Sequence, residues 1–184
     1  MFNTGFKEAE GNSATFLEDL PKAFDILIYW VYSGKIRKSK VSEAWNFLGF
    51  YSLAKKLRLV ELKDLAFDYY RNNCRIKQIH FDMPWAIEAY RIAPPQSGLR
   101  RFVIQLLVWR FQTQHNSEIH ANEFFTEIMQ SNHEISTDFM LSLRNPVGVS
   151  IPDAPRIVDR TAVATRCQYH SHTEDEDCYI VLRV

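Results

Sequence analysis

Apolar positions recur at helical spacing along most of this chain. Phe24, Leu27, Ile28 and Val31 fall at i, i+3, i+4 and i+7 behind Pro21, whose missing N–H costs nothing in a first turn. That stripe predicts an amphipathic helix, closed by Gly34 as a left-handed cap. Ser42 is the predicted N-cap of a second helix, with Ala44, Phe47, Leu48, Tyr51, Ala54 and Leu57 on its buried face. A third is predicted from Glu61, with Leu62, Leu65, Ala66 and Tyr69 inward. Pro84 opens a fourth, "PWAIEAYRIA", which Pro94 and Pro95 stop. In "GLRRFVIQLLVWRF" the stripe is Leu99, Phe102, Val103, Leu106 and Leu107, and residues 122–130 and 136–143 give two weaker amphipathic segments.

Two regions break this pattern. "SATFL" at residues 13–17 is a short β-prone run, and "RIVDRTAVATR" is a second segment able to pair as a strand. "NPVGVSIPDAP" carries three prolines and reads as an extended linker. The expected fold is therefore mainly α with one or two short strands, ending in a loosely ordered tail from about Pro146.

Composition narrows the class. The chain has 184 residues, 46% of them hydrophobic and 14% aromatic; a chain of this size buries about 70% of its unfolded surface. Lys plus Arg is 22 and Asp plus Glu is 22, a balance with no electrostatic footprint for nucleic acid or an anionic membrane. Three cysteines are too few for a disulfide framework and point to a reducing, intracellular setting, cytoplasmic or nuclear. "KIRKSK" reads as a solvated basic connector. The longest apolar runs, "ILIYWVY" and "VIQLLVW", fall far short of the ~20 residues that span a bilayer.

No catalytic signature accompanies this composition. The chain has no Gly-x-Ser-x-Gly elbow, no phosphate-cradling glycine loop and no His-Glu-x-x-His. His80, His115, His120 and His133 stand apart from any patterned Cys or carboxylate. Cys74, beside Arg71 and Arg75, is read as a quiet, partly buried thiol. The expected protein is not an enzyme.

The tail holds the one set of soft ligands, "CQYHSHTEDEDC". Cys167, His170, His172 and Cys178 are types that suit tetrahedral zinc, spaced Cys-x2-His-x-His-x5-Cys. An extended strand would put both His-x-His rings on one side. Against zinc, Glu174 to Asp177 keep the loop solvated and no aromatic mini-core follows. The expectation is an acidic tail, with structural zinc as the alternative.

Three stretches in order carry a resemblance. "GFKEAEGNSATFLEDLPKAFDILIYWVYSGKI" is similar to the second half of a BTB/POZ domain, with its acidic loop, strand and helix ending in Trp/Tyr-Ser-Gly. "FLGFYSLAKKLRLVELKDLAFDYY" resembles the two helices that follow, and "GLRRFVIQLLVW" the helical extension of fungal BTB proteins; the "YHSH" tail resembles their C-terminal ends more loosely. The opening hairpin and two helices of that domain have no counterpart after Met1. The resemblance implies a partial BTB/POZ-like domain over 1–75, a helical extension over 76–145 and a linker with tail over 146–184. It also implies a protein-interaction module for self-association or partner docking, with a cullin ubiquitin-ligase scaffold as one partner. Phe6-Lys7-Glu8 fits the apolar-x-acidic triplet of cullin-binding BTB proteins, with anchoring of Phe6 in the core as the other reading. Trp30, Tyr32, Trp45, Phe50, Tyr69 and Tyr70 are mostly core by their helical spacing. Their surplus suits a protein-binding surface, with Trp30 and Tyr32 joining Phe6 and Glu8 as candidate contacts. Helices deprived of their usual neighbours are expected to expose apolar faces.

Overall fold

The computed structural model describes residues 21–36, 46–77, 82–113, 118–144 and 167–172, with Glu176 and Cys178. Among them are seven helices and no strand: α1 (Pro21–Ser33), α2 (Phe47–Lys56), α3 (Val60–Lys77), α4 (Met83–Ile92), α5 (Gly98–Thr113), α6 (Glu118–Ser131) and α7 (His133–Arg144). Both expected strands, the 146–155 linker, Phe6, Glu8, Ser42, Ala44 and Trp45 lie outside the described residues.

Local chemistry sets the helix ends. Gly34 takes φ 66° and its N–H bonds Trp30 O at 2.7 Å, which closes α1. The second helix begins at Phe47, later than expected, because Asn46 caps it by accepting from Gly49 N at 2.8 Å. Its far end turns tightly into α3, with Leu59 N bonded to Ala54 O and Arg58 N to Lys55 O; Arg58 occupies the left-handed position at φ 56°. Asp82 caps α4 through Trp85 N at 3.0 Å, and Asn132 caps α7 through Glu134 N at 2.8 Å.

One hydrophobic cluster runs from Ala23 in α1 to Tyr169 in the tail. Its axis is aromatic. Tyr70 of α3 stacks between Phe47 of α2 at 4.2 Å and Trp85 of α4 at 5.7 Å, while Phe67 on the next face meets Phe102 of α5 edge-on at 5.2 Å. A second group, Phe111, Phe125 and Phe139, joins α5, α6 and α7. Such perpendicular and offset pairs add to the area that the rings bury.

Polar contacts fasten the elements. Arg100 of α5 reaches back to donate to Ala93 O and Tyr90 O, both at 2.9 Å, over the Tyr90 ring. Its outer nitrogen pairs with Glu134 of α7 at 3.2 Å. Tyr90 donates to Asp138 at 2.9 Å, and Lys55 donates to Ile92 O at 2.7 Å.

The expected stripes hold best in α5, where all five named positions are buried. In α2, Phe47, Leu48, Tyr51 and Ala54 are buried as expected, and Phe50 and Leu53 are buried too. The α3 face is rotated from expectation: Leu62 and Ala66 are core, but Phe67 and Tyr70 are buried where Leu65 and Tyr69 are only half-buried. In α1 the expectation fails at two of four positions. Ala23 and Leu27 face the core and Phe24 packs beside them, whereas Ile28 and Val31 are exposed. Most residues of α1 are apolar, so hydrophobicity alone does not select which side meets α2.

Candidate functional site

Two features stand out: a Cys/His centre on the C-terminal segment, and the outer face of α1.

The segment Cys167–His172 does not hang loose. It makes a turn, His170 N bonding Cys167 O at 2.8 Å, and that turn is pressed onto α3 and α5. Tyr169 is only 2% exposed. Its ring meets Phe67 at 5.6 Å and Phe102 at 5.4 Å, both nearly perpendicular, and the Arg71 guanidinium lies 4.4 Å from its centroid. Its hydroxyl bonds Gln105 of α5, which also accepts from Gln168 at 3.1 Å. Burial pushes the Tyr169 phenol up to about 12, with Arg71 opposing. The mini-core that the tail lacks in its own sequence is thus supplied by α3 and α5, which corrects the expectation of a loose tail for these residues.

Polar anchors flank the ring. Ser171 donates from N and Oγ to the two oxygens of buried Asp64, at 2.7 and 3.1 Å, and Lys63 Nζ donates to Ser171 Oγ at 2.6 Å. His170, 4% exposed, places Nε2 2.9 Å from Asp68 Oδ2, and Asp68 also pairs with Arg71 at 3.6 Å. Burial disfavours charge on His170, but the hydrogen bond and negative charge of Asp68 outweigh it. The imidazole pKa is held above its ordinary value.

This docking gathers the four soft ligands. One ligand atom from each of Cys167, His170, His172 and Cys178 lies within 4.8 Å of every other. Cys178 Sγ stands 3.6 Å from His170 Nδ1, and the His170 and His172 rings are 5.5 Å apart at 66°. The two rings come together through a turn rather than the expected extended strand. None of the three cysteines is in a disulfide, and Cys74 is fully buried, away from this group.

The residues that receive the turn escaped sequence reasoning. Asp64, Asp68 and Arg71 lie at i, i+4 and i+7 on α3, a polar stripe beside the apolar one. A charged stripe flanking Leu62, Ala66 and Phe67 is the signal that could have marked a docking strip.

The outer face of α1 carries Ile28 (53% exposed), Tyr29 (42%), Val31 (58%) and Tyr32 (86%). Of the two contacts expected on this helix, Tyr32 is open to solvent and Trp30 is half-buried against the core. Of the other crowded aromatics, Phe50 and Tyr70 are core and Tyr69 is half-buried. His133 is exposed on α7, and the side chains of His80, His115 and His120 lie outside the described residues.

Among the described residues no helix is long and apolar enough to cross a membrane. The chain matches no protein-family model, no curated protein and no solved structure, so its own residues carry the functional reading.

Proposed function

We propose that this chain is a non-catalytic protein-interaction module that self-associates through the outer face of α1. The observation that carries the reading is the run of Ile28, Tyr29, Val31 and Tyr32, four large apolar side chains on one short helix left in water. Three of them, at i, i+3 and i+4, form a strip that a second helix can cover, and contiguous apolar strips of this kind mark interaction sites. A second copy is a suitable occupant. Equal numbers of acidic and basic residues leave no net charge to hold copies apart, and two identical apolar strips are self-complementary about a two-fold axis. The BTB/POZ resemblance supports the same class of function, and on it Phe6-Lys7-Glu8 is the contact for a cullin scaffold.

Light scattering of the chromatographed protein tests this. The native chain is expected to run as a dimer or larger, and Val31→Ser with Tyr32→Ser to run as a monomer that melts like the native chain at low protein concentration, where association no longer adds to stability. A native monomer across the micromolar range would remove the reading. For the scaffold, Phe6→Ala with Glu8→Ala should abolish co-purification; an unchanged pull-down excludes that contact.

A second reading, a zinc-binding regulatory protein, draws on the convergence of Cys167, His170, His172 and Cys178. It predicts that a chelator changes the association state.

A further inference from the structure

We infer that Cys167, His170, His172 and Cys178 form a closed structural Zn2+ site, in which His170 ligates through Nδ1 and Asp68 acts as the outer-sphere acceptor for its Nε2–H. The site itself stands whether or not α1 binds a partner; a regulatory role rests on it.

Geometry comes first. Tetrahedral zinc, with Zn–S near 2.3 Å and Zn–N near 2.0 Å, sets its ligand atoms about 3.3–3.8 Å apart. Cys178 Sγ and His170 Nδ1, at 3.6 Å, already meet that spacing. No two of the four ligand atoms are more than 4.8 Å apart, so binding asks for a closure of about 1–1.5 Å at most, a shift that side-chain rotation supplies.

The tautomer is set from outside the centre. A neutral imidazole has one N–H and one lone pair. With Nε2 2.9 Å from the Asp68 carboxylate, the N–H belongs at Nε2 and the lone pair at Nδ1, the atom that faces Cys178. A carboxylate holding the far nitrogen of a ligating histidine is the arrangement that orients the ring and raises its basicity. Asp68 belongs to α3, 102 residues from His170, so a helix of the main body aims a ligand of the tail.

Donor chemistry then selects the metal. Two thiolates and two imidazoles without a carboxylate suit zinc and are poor ligands for calcium or magnesium, which take oxygen. Four protein ligands leave no open position, the mark of a structural site. Binding releases the two thiol protons to solvent, and the two thiolates balance the dication.

The backbone between the ligands is also held by contacts of its own. Tyr169 and Ser171 alternate with His170 and His172 along the turn, and each is tied to the helices beneath, one in the Phe67–Phe102 notch and the other on Asp64. Three ligands therefore stand on an anchored turn, and Cys178 closes the site.

The test uses the full chain, stripped of metal by chelation under reducing conditions and titrated with Co2+ and then Zn2+. Expected are one Co2+ per chain with an intense tetrahedral spectrum and a thiolate charge-transfer band, both lost as Zn2+ displaces Co2+. Asp68→Asn should keep that stoichiometry and weaken Zn2+ about 10- to 100-fold. Cys178→Ser should remove the tight binding. Because Cys178→Ser could also disturb folding, the native chain provides a separate readout. Zn2+ should protect Cys167 and Cys178 from alkylation, as read by peptide mass. A weak octahedral Co2+ spectrum, or alkylation of both cysteines at the same rate with and without Zn2+, overturns the site. Intact Zn2+ binding with an association state indifferent to chelator retains the site and excludes only the regulatory role.

Discussion

Gly98 opens α5 directly beneath the Tyr169 backbone: a Cβ on Gly98 would collide with the Tyr169 carbonyl and come within 2.8 Å of its Cα. Close backbone approach, rather than an unusual dihedral, is what demands glycine here. Gly98→Ala is expected to lift the turn off α5 and cost about 1–3 kcal/mol through overpacking. The same variant should weaken Zn2+ binding, because the ligands move with the turn. Chemical denaturation and Co2+ titration of the variant check both effects.

The Tyr169 ring makes a separate prediction. Tyr169→Ala empties the notch between Phe67 and Phe102, with an expected loss of about 3–5 kcal/mol in the range of large aromatic truncations. Tyr169→Phe keeps the ring and loses only the bond to Gln105, for about 1 kcal/mol. Equal losses in the two variants would mean that the hydroxyl rather than the ring anchors the segment.

Arg100 is fixed by two carbonyls and one carboxylate. Its removal in Arg100→Leu strands Ala93 O and Tyr90 O beneath the α4–α5 turn, for an expected loss of about 2–4 kcal/mol. Arg100→Lys should recover less than half of this, since an ammonium cannot span both carbonyls and Glu134 with one planar fork. Equilibrium unfolding of the two variants separates charge from geometry.

High pH should unfold the helical body by a definable route. Burial raises the phenols of Tyr51 and Tyr169 to about 12 and those of Tyr70 and Tyr90 further. The folded pKa lies above the unfolded value near 10. The folded chain thus holds these protons more tightly, and its stability is intact below pH 10 and falls as pH rises toward 12. Each of Tyr51 and Tyr169 contributes about 2 kcal/mol to that loss. Tyrosinate absorbance of the buried rings should therefore appear together with loss of helical circular dichroism; titration near pH 10 with the helices intact would contradict their burial.

The two sides of α1 should respond oppositely to truncation. Leu27→Ala removes a core side chain at an expected cost of about 2–4 kcal/mol, whereas Ile28→Ala should stay within about 0.5 kcal/mol in the monomer. Thermal melts of both variants at low protein concentration check the register.

How far each element was legible follows from its local contrast. In α5 the apolar positions Leu99, Phe102, Val103, Leu106 and Leu107 fall on one side and the exposed Arg101 and Gln105 on another, so the stripe identifies a buried face. In α1 the run "ILIYWVY" has no polar side to contrast with, and docking against α2 decides the face. For α3, Phe67 and Tyr70 are drawn inward by Phe47, Trp85 and Phe102 on other helices, a choice that local spacing does not contain. At the centre, the ligand types and spacing were visible in the tail. Its order was not, because Asp64, Asp68, Phe67 and Phe102, which hold the turn, lie far away in sequence. A segment poor in apolar residues becomes fixed by borrowing a core.

The bond between Asp68 and His170 also sets an order of events during biosynthesis. Translation runs from the amino end, so α3 and α5 leave the ribosome while Cys167 has yet to be made. The helical contacts are mostly local and close quickly, whereas a loop of 102 residues closes late. For that interval the notch beside Phe67 and Phe102 stands uncapped, a greasy surface on a nascent chain until its own tyrosine arrives.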